Sequence, residues 1–471
     1  MLLPTRVCRM AGKENRRTNK FFSFKNCPIY FIYCIIMFFG KKQTKRIEQA
    51  LQQQKPTDQS FGANVKRQFR KNKLAVWSLR FFYVLICIAI FADFIANERP
   101  IICKLDGQIH FPVLKQYAVN LGITAWDEKF VVKCWDEHNY DWAWFALIPY
   151  SATTLDKKNR DFVSPFGKQD LKSWRWRHWI GTDELGRDVA AGMIAGTRIA
   201  MMVGIVAMSI ATLIGVILGA MAGYFGDTRF AVSRVRIILT LLGIFIGFFY
   251  GFIARGNAFT DGFFSAILSG FFIFIACIAL ANLIVVPLKK IPVLAKKIPI
   301  AIDILVMRLI EVLNAIPGLL LILSIVALTK PSIFNVMIII GLISWTSIAR
   351  FMRAELLRVR SLEYIEAAQA MGFPELRIIL RHAIPNALTP VLITIAFGIA
   401  SAILTEAFLS FLGIGVAAEE VTWGSLLNLA RANFKAWWLA LFPGLAIFFT
   451  VTIFNLIGEG LTDALDPRLK Q

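Results

Sequence analysis

Residues 199–223 read IAMMVGIVAMSIATLIGVILGAMAG, 25 positions without one charged side chain. As a helix rising 1.5 Å per residue this run is about 37 Å long, enough to cross a hydrocarbon core of about 30 Å. Comparable runs cover 75–96, 237–254, 263–286, 309–329, 333–350, 390–412 and 437–458. The composition agrees: 57% of the 471 residues are hydrophobic, 18% are charged and 40 are Phe. Soluble domains hold about 45–50% apolar and about 25% charged residues, so a soluble enzyme and a disordered tail are both excluded. The expected fold is an all-α polytopic membrane protein with about eight spans.

The charge distribution sets the orientation. The chain carries 52 Lys and Arg against 31 acids, a net +21. Residues 1–73 hold 17 basic residues against 3 acids, whereas 97–188 hold 13 of each sign. Basic residues gather again at 287–308 and at 349–390. With the N-terminus inside, every strongly basic loop faces the cytoplasm, as the positive-inside rule requires. Nucleic-acid binding would need those charges on one soluble domain, and the chain has none, so no nucleic-acid partner is expected. Membrane lipid is the expected surround.

Residues 28–39 are apolar but too short for a span, and translation starts at either Met1 or Met37, the second of which would leave 1–36 untranslated. The triplets Gly215, Gly219, Gly223 and Gly243, Gly247, Gly251 place small residues on one helix face, where another backbone can approach closely. Cys87 and Cys277 read as small packing residues within spans. Cys103 and Cys134 share the external loop, where they can bridge or stay as free thiols.

Catalytic machinery is missing. The sequence has no G-x-x-x-x-G-K-[ST] loop for nucleotide phosphates. Its histidines, His110, His138, His178 and His382, lack metal-ligand spacing, so no catalytic or metal residue is assigned. His178 and His382 sit among Arg and Trp and read as surface histidines. Of the acids in or near spans, Asp93, Glu311 and Glu406, the last lies deepest. A structural hydrogen bond to a neighbouring helix is the favoured role for Glu406. An ion-coupled secondary transporter using Glu406 or Asp93 is the alternative reading of the chain.

The cytoplasmic stretch Arg353–Pro390 reads RAELLRVRSLEYIEAAQAMGFPELRIILRHAIPNALTP. Residues 361–371 favour a helix, Gly372 suits a left-handed terminus, and Pro374 suits the first turn of the next helix. Two short helices joined by a tight bend are expected, rimmed by Glu363, Glu366, Arg377 and Arg381. Glu366, Ala367 and Ala368, then Gly372, then Ile384 and Pro385, resemble the coupling loop of binding-protein-dependent ABC importer permeases. His382 departs from that pattern, which is usually apolar there.

The run His178 to Asp188, HWIGTDELGRD, is similar to the GTDxxGRD signature of the dipeptide, oligopeptide and nickel permeases. Gly196 and Arg198, Leu409 to Gly413, Trp423-Gly424, Pro443-Gly444 and Asp463 to Pro467 match as well. The likeness covers 66–236 and 300–471. The loop from Ile95 to Pro112 looks most like the microcin C-type subclass of peptide permeases. Within the signature, Gly181, Thr182, Asp183, Gly186, Arg187 and Asp188 read as a structural lock at the outer mouth, with glycines for the bends and charge-assisted bonds between Asp183, Arg187 and Asp188.

This resemblance implies a non-catalytic membrane subunit of the bacterial inner membrane. It implies a six-helix permease core, peptides or similar solutes as cargo, and ATPase subunits that dock on 361–386 and carry ATP and Mg, so that this chain binds no cofactor itself. A second homologous permease and an extracytoplasmic solute-binding protein would complete the importer. The expected organisation is a basic cytoplasmic segment 1–73, a first span 74–96 and an external loop 97–198. A core helix and loop 199–236, an inserted transmembrane hairpin 237–302 and the remaining core 303–471 follow. The hairpin departs from the six-span pattern.

Overall fold

A computed structural model describes residues 61–126, 130, 135, 138–227, 231–255, 263–288, 296–417 and 419–465. Met37, the 28–39 run, Cys134, the Lys289-Lys290 pair and the Asp466-Pro467 ending lie outside them. The elements below belong to the compact unit Val65–Gln471. Among the described residues, seven helices are long and apolar enough to cross a membrane, and a bent pair makes an eighth candidate.

The first span, α1, covers Lys73–Ile90 and starts where the Asn72 side chain accepts a hydrogen bond from the Ala75 amide. The helix expected over 74–96 is interrupted at Phe91 and resumes as a single turn, Ala92–Ile95. The segment that follows folds into a small antiparallel sheet of β1 (Pro100–Leu105), β2 (Gln108–His110) and β3 (Trp142–Phe145), in the order β2-β1-β3. Between β2 and β3 lies α2, Pro112–Asn120. Cys103 is a free thiol buried on β1, and burial pushes its pKa up to about 11. Cys87 faces outward on α1 instead of packing, and Cys277 is half-buried.

The next helix begins at Val189, inside the loop expected over 97–198. Helix α3 runs over Val189–Phe225, 37 residues, because Asp188 caps it by accepting a 2.7 Å hydrogen bond from the Ala191 amide. Its partner is α8, Ile333–Val359, which extends well past the expected end at 350. The first glycine triplet explains the pairing. A Cβ on Gly219 would come within 2.5 Å of the Ala349 carbonyl oxygen, and one on Gly223 within 2.7 Å of the Arg353 carbonyl oxygen. The two backbones touch there, which only small residues permit.

The inserted hairpin is α4 (Arg234–Phe248), continued by a π-helical turn Phe249–Ile253, and α5 (Phe263–Leu288). The second triplet zips it together: Gly243 meets Ala281, Gly247 meets Phe274, and Gly251 meets the Gly270 carbonyl. Its base is closed by a two-stranded ladder, β4 (Ala231–Ser233) on β5 (Lys297–Pro299), so the inserted unit spans 231–299 and not 237–302.

The span expected over 309–329 is not one helix. It is α6 (Ile302–Asn314) and α7 (Gly318–Leu328), bent by 77°. Pro317 lacks an amide to continue the ladder and disfavours helical backbone at Ile316, so the chain breaks between them. After α8 come α9 (Glu363–Ala370), α10 (Glu375–Ile378), a π-helical turn Ile379–Ala383 and α11 (Ile384–Phe411). The last three form one continuous 37-residue rod, so the second of the two expected short helices is the cytoplasmic end of a span. Helices α12 (Trp423–Ala432) and α13 (Trp437–Leu465) complete the unit.

Candidate functional site: a cytoplasmic docking element and an outer-mouth lock

Helix α9 carries Glu363 and Glu366 in its first turn, where carboxylates favour the helix dipole. Their side chains and Ala367 are exposed, while Ile365 and Ala368 are buried. The helix stops because Gly372 adopts φ +77°, and the Phe373 amide donates back to the Ala368 carbonyl at 3.2 Å. No atom lies within 4 Å of where a Gly372 Cβ would sit, so the backbone conformation, not space, demands glycine.

Ile378, Ile379 and Ala383 turn inward and join Ile365, Ala368, Met352, Leu356 and Tyr224 in one core cluster. Outside stand Met371, Leu376 and Leu380, exposed by 68, 67 and 59%. Exposed Arg377 and Arg381 complete the rim with the two glutamates. Ile384 is half-buried and Pro385 exposed at the start of α11, and His382 is half-buried on the π-helical turn. The element is an apolar knob with a charged rim, the composition of a protein-docking surface.

Polar ties bind this knob to the spans. Gln369 donates to the Tyr224 hydroxyl at 3.3 Å, Asn386 to the Tyr364 hydroxyl at 3.1 Å, and Arg360 to the Gly223 carbonyl at 3.4 Å. Arg353 on α8 forks onto Asp303 on α6 through both Nε and Nη2. These bonds tie the region to α3 and α11, and α8 in turn to α6.

At the opposite end, the signature residues form a closed turn. Asp183 is buried and accepts from the Leu185 amide at 2.9 Å, the Arg187 amide at 2.8 Å and Arg187 Nε at 2.6 Å. Gly181 and Gly186 take φ +86° and +81°, and a Cβ on Gly186 would stand 2.1 Å from the Asp156 carbonyl oxygen. The Thr182 hydroxyl donates to the Asn159 carbonyl at 2.9 Å, and the Thr182 carbonyl accepts from Trp438 Nε1 on α13 at 3.1 Å.

His178 is fully buried, contrary to the surface position read from its Arg and Trp neighbours. Its Nδ1 lies 2.8 Å from Asp188 and its Nε2 3.3 Å from Asp156, with the ring stacked on Tyr150. Burial pulls the His178 pKa down, but the hydrogen bonds and charges of Asp188 and Asp156 outweigh it, and the net shift is upward. Burial pushes the Asp156 pKa up, but hydrogen bonds from Asn159, the Lys158 amide and His178, with the His178 charge, bring it below the usual carboxylate range. Asp156 and Asn159 were not singled out in the sequence because no local pattern marks them.

Asp93 and Glu406, the acids of the ion-coupled alternative, are both satisfied internally. Arg198 forks onto Asp93 at 3.1 and 2.8 Å. Glu406 is buried and accepts a 2.6 Å hydrogen bond from Ser410 one turn on in its own helix, and the side chain of Thr422, the cap residue of α12, also hydrogen-bonds it.

The chain matches the family model described as the binding-protein-dependent transport system inner membrane component over residues 292–471, and the N-terminal TM domain of oligopeptide transport permease C over 60–107. It is similar to the inner membrane ABC transporter permease protein YejE of Escherichia coli, 28% identical, covering 85% of this chain and 95% of that one. The glutathione transport system permease protein GsiD of Pectobacterium atrosepticum is 31% identical over 70% of this chain and 82% of its own length. The dipeptide transport system permease protein DppC of Alkalihalophilus pseudofirmus is 30% identical over 69 and 83%. This chain belongs to the family of binding-protein-dependent inner-membrane transport permeases. It is a multi-pass inner-membrane permease subunit of an ABC importer, a family whose members work with ATPase and substrate-binding partners. The YejE likeness accords with the microcin C-type subclass read from the external loop, and the relatives give the ion-coupled alternative no support.

Proposed function

We propose that this chain passes peptides or similar small solutes inward across the membrane, driven by ATPase subunits that seat on the 361–386 element. The observation that carries the reading is the exposed Met371, Leu376 and Leu380 knob, backed by buried Ile365, Ala368, Ile378 and Ile379 that weld it to the spans. ATP-driven closure of the partners moves the knob as a rigid body, and the spans rock between two states that nucleotide binds differently. The chain itself does no covalent chemistry; ATP and Mg sit on the partners, a second homologous permease completes the path, and a solute-binding protein delivers the cargo from outside. The relatives named for dipeptide and glutathione transport support that cargo class.

Gly372→Pro tests this directly. Proline holds φ near −65°, which the +77° terminus cannot accept. The expected outcome is normal membrane abundance with ATP-dependent uptake reduced at least about tenfold, a loss of about 1.4 kcal/mol or more in coupling. Glu366→Lys reverses the rim charge and lowers uptake in the same direction. Wild-type uptake in both variants would refute docking at this element.

A further inference from the structure

The inserted hairpin packs chiefly on itself. Its glycines meet the facing hairpin helix, and among the described residues none from 234 to 288 belongs to the core clusters of the bundle. Both helices are long and apolar enough to cross a membrane, so their outer faces meet lipid. Where those faces end, four cations converge. The β4–β5 ladder sets Lys297 opposite Ser233, and the Arg234 amide donates to the Lys296 carbonyl at 3.1 Å. Arg236 follows in the first turn of α4. Arg234, Arg236, Lys296 and Lys297 are all exposed, and none of their side chains joins a described ion pair or hydrogen bond. The flanking acids are engaged elsewhere: Asp303 pairs with Arg353, and Asp227 accepts from the Ile304 amide at 3.3 Å.

Four like charges so close together repel one another. The α4 dipole adds positive charge at the same end, and its first turn holds no acid to offset it. An anion relieves this arrangement. Its kind follows from what lies above the charges. Arg234, Ile238, Leu241 and Phe245 follow one another at helical spacing, and all four are exposed. One stripe of α4 therefore begins with a cation and continues as an apolar track into the membrane, the shape of a headgroup with an acyl chain above it. Basic clusters just cytoplasmic of a span attract acidic lipids. We propose that Arg234, Arg236, Lys296 and Lys297 form a binding site for the phosphate of an acidic phospholipid, whose acyl chain lies along Ile238, Leu241 and Phe245. The site belongs to the insertion and is independent of the import reading.

The test is native mass spectrometry of the full-length chain in mild detergent, equilibrated with dioleoyl phosphatidylglycerol or dioleoyl phosphatidylcholine, each with and without inorganic phosphate. Phosphatidylglycerol is expected to bind saturably and at least about tenfold more tightly than phosphatidylcholine, and phosphate should not displace it. Arg234→Gln, Arg236→Gln, Lys296→Gln and Lys297→Gln together lower binding at the tightest phosphatidylglycerol site at least about tenfold. The same change at Lys66, Arg67, Lys71 and Lys73, equally exposed cations near the start of α1, leaves that site filled. Equal binding of the two lipids would overturn the assignment on the wild-type chain alone. Displacement by phosphate would mark a free-anion site, and an equal loss in the two variants would reduce the effect to overall charge; either result would overturn it too.

Discussion

At the outer mouth Asp183, Asp188 and His178 are buried within a mesh of short hydrogen bonds. At the cytoplasmic end Met371, Leu376 and Leu380 stand in the open, and α9 ends on a glycine with empty space around it. Two turns with similar ingredients, positive-φ glycines beside charged residues, are built for different tasks. In the first, Asp183 and Arg187 pair with each other, and Asp188 takes His178 and the Ala191 amide. In the second, the charges ring an apolar surface that its own chain does not cover. The outer turn caps the start of α3 through Asp188, while the inner region bonds the other end of the same helix at Tyr224 and Gly223.

The sharpest way to break this comparison is Gly186→Val. A Cβ there meets the Asp156 carbonyl at 2.1 Å with φ at +81°, so both the turn and its neighbour must shift. The expected cost is about 3 kcal/mol or more, read as loss of folded protein in detergent melting curves. If the turn were a flexible contact surface, the variant would melt like the wild type.

A smaller effect comes from pH. His178 binds its proton more tightly folded than unfolded. Its stabilisation is therefore complete below the unfolded value of about 6.5 and fades as pH rises through the raised folded value. Asp156 is lowered, so its contribution is complete above about 3.9 and is lost as pH falls through its depressed value. The melting temperature should decline as pH is raised above neutrality, and His178→Gln should flatten that decline. An unchanged slope in the variant would mean that the histidine is neutral between its two carboxylates.

Much of this was legible in the sequence. Apolar runs placed the spans, and the glycine triplets announced two close helix contacts. What was missed has identifiable causes. Counting apolar residues across 309–329 overlooks Ile316-Pro317-Gly318, where backbone chemistry breaks the helix. Asp188 as a cap was available as a start signal for α3, ten residues before the apolar run alone would place it. Ser410, one turn after Glu406, was a visible local partner. The burial of His178 was not legible, because Asp156 and Tyr150 lie 22 and 28 positions away and reach it only through the fold of the external segment.

The most direct test of the central claim adds a cysteine at Met371, compares it with the unsubstituted chain and its seven native cysteines, and treats native membranes with a short bifunctional crosslinker. The account predicts an adduct between this position and a P-loop ATPase subunit, whose yield changes when nucleotide is added. An importer that still takes up solute, yet never joins Met371→Cys to an ATPase, would contradict it.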